Sequence, residues 1–255
     1  MRGDIPRWLY YPLVGISVLI PIAIWLLLRA TNQVNELFLP TPVDVFGAAR
    51  DMISSGDIFN DTKASLVRVM IGFGIAALIS VPLGLAMGSF KSIQALFEPV
   101  IGLIRYLPAT AFVPLLLIWF GLGEEPKIAL IVIGTVFFNT LMTANVVWQV
   151  PSELIKVSYT LGASNFTVFR KVIFPHSIPG IIDAMRVNLA AAWNLIVVAE
   201  LIAADEGLGY RITRAQKFLH IDQIFVVLIV IGILGVTTDI VLRLIRDRLA
   251  PWARA

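Results

Sequence analysis

Few residues in this chain have the chemistry to act on a ligand, and the telling ones sit inside apolar runs. Arg105, Arg186, Glu200 and Asp239 interrupt otherwise hydrophobic stretches, and Arg68 stands near the start of another. Arg186, Trp193 and Glu200 recur every seven residues, close to two helical turns, so they share one helix face. A charge in such a run is costly, faces the interior of a bundle and marks a functional site by default. Guanidinium and amide donors suit a small anion. Arg105, Arg186, Trp193, Asn194 and Glu200 are therefore candidate lining for a solute pathway, with Glu200 last because its carboxylate would repel an anion. Plainer roles are equally concrete. Glu200 and Arg68 should lie at similar depth and can pair; Arg105 and Arg186 can hold helix-end carbonyls or extend toward the interface. Asn139, Thr140 and Asn145 can bond between helices.

Covalent and metal chemistry find little to use. There is no cysteine, and His176 and His220 lie 44 residues apart. The chain has no G-x-x-x-x-G-K-[ST] phosphate loop, no G-x-S-x-G elbow and no H-E-x-x-H helix. The expectation is a chain that is not an enzyme, holds no metal or cofactor of its own, and draws on another polypeptide or an ion gradient for energy. A nucleic-acid partner is not expected either, because the net charge of +3 comes from basic residues at the ends of the runs.

What would hold these residues is a membrane bundle. Of 255 residues, 58% are hydrophobic and 15% charged, with a mean hydropathy of +0.86, where about a quarter of a soluble domain is charged. The apolar residues fall in blocks near the ~20 that cross a bilayer. Runs such as 128–138 and 225–234 do not alternate as barrel strands would, so the fold class is all-α integral membrane. Six helices are placed at about 11–30, 65–88, 96–119, 128–149, 179–204 and 224–245. The first is read as a retained span, since no small-residue cleavage pattern comes after it. With both termini cytoplasmic, the inner segments 1–10, 89–95, 150–178 and 246–255 hold nine Lys and Arg. The outer segments hold six: Arg50, Lys63, Lys127, Arg211, Arg214 and Lys217. That bias has the expected sign. In the first outer loop Thr41 can cap a short helix with Pro42 at its first position, and Val43, Phe46, Arg50 and Ile53 would form a partly apolar stripe on it. GLG at 207–209 is read as a tight turn.

One inner segment is not a plain loop. Residues 159–175, YTLGASNFTVFRKVIFP, divide at Gly162. Apolar residues at 154, 155, 157 and 161 have helical spacing, and Phe166, Phe169, Val172 and Ile173 form a second stripe with Arg170 and Lys171 opposite. Gly162 can supply a left-handed helix end, and Ser164 or Asn165 can cap the second helix. Pro175 should stop that second helix, and Pro179 should start the fifth span. On these residues alone, an amphipathic loop at the headgroups and a docking surface for a soluble partner are both open.

The stretch resembles the signature loop of ABC-importer permeases: E-A-A, three residues, Gly, nine residues, Ile, one residue, Leu-Pro. Here Lys156-Val157-Ser158, Gly162, Val172 and Phe174-Pro175 keep the spacing, and Lys156, Ser158 and Phe174 depart from the usual residues. LPTP (39–42) and the runs 65–88, 103–128 and 199–212 are similar to the nitrate, bicarbonate, sulfonate and taurine branch. The resemblance implies a type I importer permease spanning 1–255 as one domain. In it, 1–64 carries the first span and the outer interfacial helix, and 65–245 forms a five-helix core with a cytoplasmic coupling loop at 150–178. It further implies a bacterial inner-membrane location and two copies forming the pore. Two cytoplasmic ATPases would hold ATP and magnesium, and an external solute-binding protein would deliver a small anion. Nitrate or bicarbonate is the first choice, a sulfonate or taurine the second, and an ion-driven secondary transporter the rival class. By the same resemblance the ATPase would meet Glu153, Lys156, Ser158, Gly162, Ala163, Ser164, Asn165, Phe166, Phe169, Arg170, Lys171 and Pro175. Lys156 in place of glutamate would reverse the sign of one contact, with Glu153 one turn upstream as a substitute.

Overall fold

The computed structural model describes residues 6–31 and 38–253. Every regular element among them is helical. Helix α1 spans Arg7–Ala30, α2 Pro42–Ser54 and α3 Asp57–Ser89. Next come α4 (Lys91–Ile104), a 3-10 turn (Ala109–Phe112), α5 (Val113–Phe120) and α6 (Glu125–Trp148). After these stand α7 (Ser152–Thr160), α8 (Asn165–Val168), α9 (Phe174–Ala203), α10 (Leu208–Lys217) and α11 (Ile221–Leu249). Five helical segments are long and apolar enough to cross a bilayer, and α4 with α5 makes a sixth if the bent pair counts as one span.

The bundle is built on the close approach of α3 and α6. Gly72, Ala76, Ser80, Gly84 and Gly88 recur every four residues along α3, which puts the smallest side chains on one stripe and lets the two backbones meet. A Cβ at Gly84 would stand 2.5 Å from the Thr140 carbonyl oxygen, and one at Gly72 would stand 2.8 Å from the Ile131 Cβ. At Gly88 it would meet Val147 and lie 3.0 Å from the Ala144 carbonyl. On its other side α6 packs on α9, where Gly134 admits Leu195 and Gly180 admits Val146. The buried cores of α3, α6 and α9 continue into Val226 and Val227 of α11.

Several boundaries differ from the sequence reading. The span expected at 96–119 is broken into α4 and α5, bent by 79°. Pro108 has no N–H to continue α4 and biases Leu107 away from helix, so Arg105–Leu107 close the helix in a tight turn. α3 begins at Asp57, before the expected 65, because Gly56 with φ +78° turns the chain straight out of α2. Thr41 does cap α2, and Asp44 returns the bond to the Thr41 amide. The buried face of α2, however, is Val45, Ala48 and Met52, while Val43, Phe46 and Ile53 point outward. The position of α11 decides this, and it lies beyond any local pattern.

Nor does Pro175 stop a helix. A π turn over Phe169–Ile173, in which the Phe174 amide bonds the Phe169 carbonyl, widens the backbone ahead of Pro175. The proline then sits in the first turn of α9, where a missing N–H costs little. Asn165–Ile202 therefore forms a single 38-residue helical segment.

Replacing Gly84 by alanine should lower the stability of the purified protein by about 1–3 kcal/mol, because the carbonyl it meets cannot move aside cheaply. Gly74→Ala, with nothing within 4 Å of the new methyl, should match or exceed the parent. Thermal unfolding in one detergent checks both.

Candidate functional site

At one end of the bundle, α7 and α8 form a hairpin closed by Gly162. Its φ of +81° lets its own amide bond the Tyr159 carbonyl, and the Ala163 amide the Ser158 carbonyl, 2.9 and 3.0 Å. Ser164 caps α8 by accepting the Thr167 amide, while Asn165 accepts the Tyr159 hydroxyl at 3.0 Å. Leu154, Val157 and Leu161 line one face of α7 at i, i+3 and i+7, all exposed, and Leu161 is 82% exposed. Phe166 adds an exposed ring beside them, and Ile155 turns inward onto the core of the hairpin. Glu153, Lys156, Arg170 and Lys171 are exposed, and Lys156 makes no ion pair among the described residues. Phe169 departs from the expected docking face. It is half-buried, with its ring centroid 6.4 Å from that of Phe90 at the α3–α4 junction, so it braces the hairpin against the bundle.

Within the spans, the heptad on α9 does face inward, but its polar atoms are already engaged. Arg186 grips Asp239 of α11 through two bonds of 2.8 Å and reaches Asp183 at 2.9 Å. The Trp193 indole donates to Thr238 at 3.2 Å. These side chains tie α9 to α11, since an unpaired charge at this depth would be far costlier than the pair. Of the five residues expected to line a solute path, Asn194 presents an open face, in a stripe with Val187, Ala190 and Leu201. Arg105 lies exposed at the break after α4, where its guanidinium covers the Tyr106 ring at 5.0 Å.

At the opposite end, Glu200 anchors a buried polar knot. Its carboxylate lies 2.7 Å from Arg68 Nη1 and accepts the Ser65 hydroxyl at 2.8 Å and the Gly209 amide at 2.9 Å. Ser65 in turn accepts the Leu208 amide at 2.9 Å. Asp61 accepts the Gly207 amide at 2.9 Å and pairs with Arg211 at 2.6 Å. GLG is thus more than a turn: Gly207 has φ +122°, and a Cβ there would meet the Glu200 carboxylate at 2.5 Å. Arg68 also meets Glu124, through its Nε and through Nη2 at 2.8 Å, and Glu124 holds the buried Lys127 at 2.8 Å. Glu124 lies before α6, outside the spans, and its bonds with Arg68 above all hold its pKa down to about 2. Sequence reasoning reached the Arg68–Glu200 pair but missed Asp61, Glu124 and Lys127. The available signal was that these charges flank apolar runs next to turn glycines.

Comparison with known proteins agrees with this architecture. Residues 80–255 match the family described as binding-protein-dependent transport system inner membrane component. The chain is 38% identical to a probable ABC transporter permease of Brucella melitensis, covering 93% of this chain and 95% of that one. It is 34% identical to the taurine transport system permease of Escherichia coli K12, covering 91% and 86%. To the nitrate import permease of Synechocystis it is 28% identical, covering 94% and 89%. Among solved structures, a chain of the MetNI methionine ABC transporter in inward-facing conformations has the same fold. The TM-score is 0.60 at 18% identity, over 75% of this chain and 94% of that one.

The depressed pKa of Glu124 sets a pH dependence. The unfolded carboxyl binds its proton near 4.5 and the folded one near 2, so this pairing contributes fully above pH 4.5 and fades as pH falls toward 2. Glu124→Gln should therefore melt below the parent at pH 7, with the gap closing over that window. Melting curves of both proteins across pH 2–7 give the comparison.

Proposed function

The chain belongs to the family of binding-protein-dependent transport system inner membrane components, and from that premise we propose that two copies of it form the pore of an importer for a small oxyanion. As an ABC permease subunit it is a multi-pass inner-membrane transport component, not an enzyme. Its family works with a separate ATPase and a binding protein.

The observation that carries the finer reading is the exposed apolar patch of Leu154, Val157, Leu161 and Phe166 on the Gly162 hairpin. It stands on a connecting segment with exposed cations at its edge, which is the character of a surface that a soluble partner covers. We assign it to the ATPase, which supplies the ATP and magnesium chemistry. This end is then cytoplasmic, as the Lys and Arg bias favours, and the Glu200 end faces outward. Lys156, at the patch edge, would meet an acidic group on the ATPase. The open α9 face of Val187, Ala190, Asn194 and Leu201 would turn toward the second copy and the solute. α8, the π turn and α9 are one continuous helical segment, which gives displacement of Phe166 a backbone path to Glu200.

As to the solute, the greater identity to the taurine permease than to the nitrate permease, 34% against 28%, favours a sulfonate over nitrate or bicarbonate. Extraction of the tagged chain from native membranes should recover an equimolar ATPase. Leu161→Asp and Phe166→Asp should each weaken its retention by about 30-fold, corresponding to ~2 kcal/mol for a central contact. A homo-oligomer that carries no ATPase would overturn the reading in favour of an ion-driven transporter.

A further inference from the structure

Some cations among the described residues are tied down by carboxylates, and others, Lys156 among them, are not. Arg68, Lys127, Arg186, Arg211 and Arg246 are each held by a carboxylate within 3.1 Å. Arg214 and Lys217 are exposed and make no ion pair among the described residues. Both lie on α10, which turns Tyr210, Thr213, Arg214 and Lys217 to one side at i, i+3, i+4 and i+7. It buries Leu208, Arg211 and Ala215 on the other. Two arginines three residues apart on one short helix thus have opposite fates. Arg211 is fixed to Asp61 and Asp57, and Arg214 has no ion pair among the described residues.

Between the polar side of α10 and the end of α9 lies a cavity of about 380 Å³. No carboxylate lines it. Its polar groups are the Arg214 guanidinium, the Lys217 ammonium and the hydroxyls of Tyr210 and Thr213, and its opposite wall is apolar, with Leu201 and Ile202. Thr213 gives its proton to the Gly209 carbonyl at 3.3 Å, while the Tyr210 hydroxyl has no partner among the described residues. Asp57, in a smaller adjoining cavity that shares Arg214, is engaged by Arg211 at 3.1 Å. Leu201 continues the open stripe of Val187, Ala190 and Asn194 along α9, so the cavity opens at the end of that same face.

We propose that this cavity is an entry station for an oxyanion, with Arg214 and Lys217 as its cationic clamp and Tyr210 as a further donor. A guanidinium offers paired donors to two oxygens of a sulfonate, carboxylate or nitrate, and an ammonium a mobile point charge. The apolar wall suits the short hydrocarbon part of an organic anion. Both cations are solvated, so the station binds weakly and raises the local concentration of anion at the mouth of the α9 face. The proposal rests on the oxyanion-importer reading above and adds the residues that first receive the solute.

The test uses the assembled transporter with its ATPase in phosphatidylcholine nanodiscs and the anion ethanesulfonate. Lys217 is labelled with an amine-reactive, membrane-impermeant ester, and labelling is read by peptide mass spectrometry against the exposed Lys63 of α3 as internal reference. At an anion concentration about four times its dissociation constant, Lys217 should label about fivefold more slowly relative to Lys63. Sodium chloride of equal ionic strength should give no such ratio, and Arg214→Gln should remove the protection without moving the melting temperature. Equal slowing of both lysines would mean screening alone and would overturn the site. Protection that appears with phosphatidylglycerol and not with ethanesulfonate or nitrate would assign the cations to a lipid headgroup and also overturn it. Uptake of labelled sulfonate or nitrate by intact cells separates the two levels. Uptake without protection sinks the station alone, and absence of both sinks the importer reading with it.

Discussion

The rest of the bundle depends on how closely α3 and α6 approach. Four-residue spacing of Gly72, Ala76, Ser80, Gly84 and Gly88 removes the side chains that would hold the helices apart, and carbonyls and β-carbons of α6 fill the space. In lipid there is little hydrophobic force between helices, because the acyl chains are as apolar as leucine, so contact area and backbone proximity must supply the attraction. With α6 fixed against α3, its other side presents Gly134 and Val146 to α9, and α9 in turn presents Arg186 and Trp193 to α11.

The intramembrane charges are a consequence of that placement. A lone arginine or glutamate at this depth is prohibitive, and breaking a buried pair is nearly as bad. Arg186 with Asp239, and Arg68 with Glu200, fasten helices at points separated by 53 and 132 residues of chain. Around Glu200 the fastening is densest. Ser65, Arg68 and the Gly209 amide all converge on one carboxylate, and two glycines are needed to let the backbone come that close. Three of the residues that look like solute contacts in the sequence, Arg186, Trp193 and Glu200, are engaged in holding helices together. Asn194 on α9, Arg105 after α4 and the polar side of α10 remain open.

The two ends of the bundle have opposite surfaces. The Gly162 hairpin offers apolar side chains with cations at the edge, and the α10 end offers Arg214 and Lys217, without ion pairs among the described residues, over an apolar wall. One continuous helical segment, Asn165–Ile202, joins them. The π turn makes that continuity possible, because it absorbs Pro175 where an α-helical turn would have been interrupted. The Gly162 hairpin and the Glu200 knot are therefore linked by continuous helical backbone.

By itself the sequence determined whatever depends on a residue and its near neighbours. Membrane class came from the length of the apolar runs, and the α2 cap from Thr41 and Pro42. The hairpin came from Gly162, and the family from motif spacing. The small-residue stripe on α3 went unread in the sequence, although its four-residue period of glycine, alanine and serine is local, because only α6 packed against it gives the period a meaning. Tertiary structure decided what depends on elements far apart in the chain. Which side of α2 is buried was set by α11, and whether Pro175 ends a helix by a turn whose widening local propensity does not encode. Which arginines are free was set by where carboxylates from other helices arrive. Arg211 and Arg214 illustrate the division: they have the same side chain on the same helix, three residues apart. Only the arrival of Asp57 and Asp61 from α3 makes one a structural tie, while the other has no ion pair among the described residues.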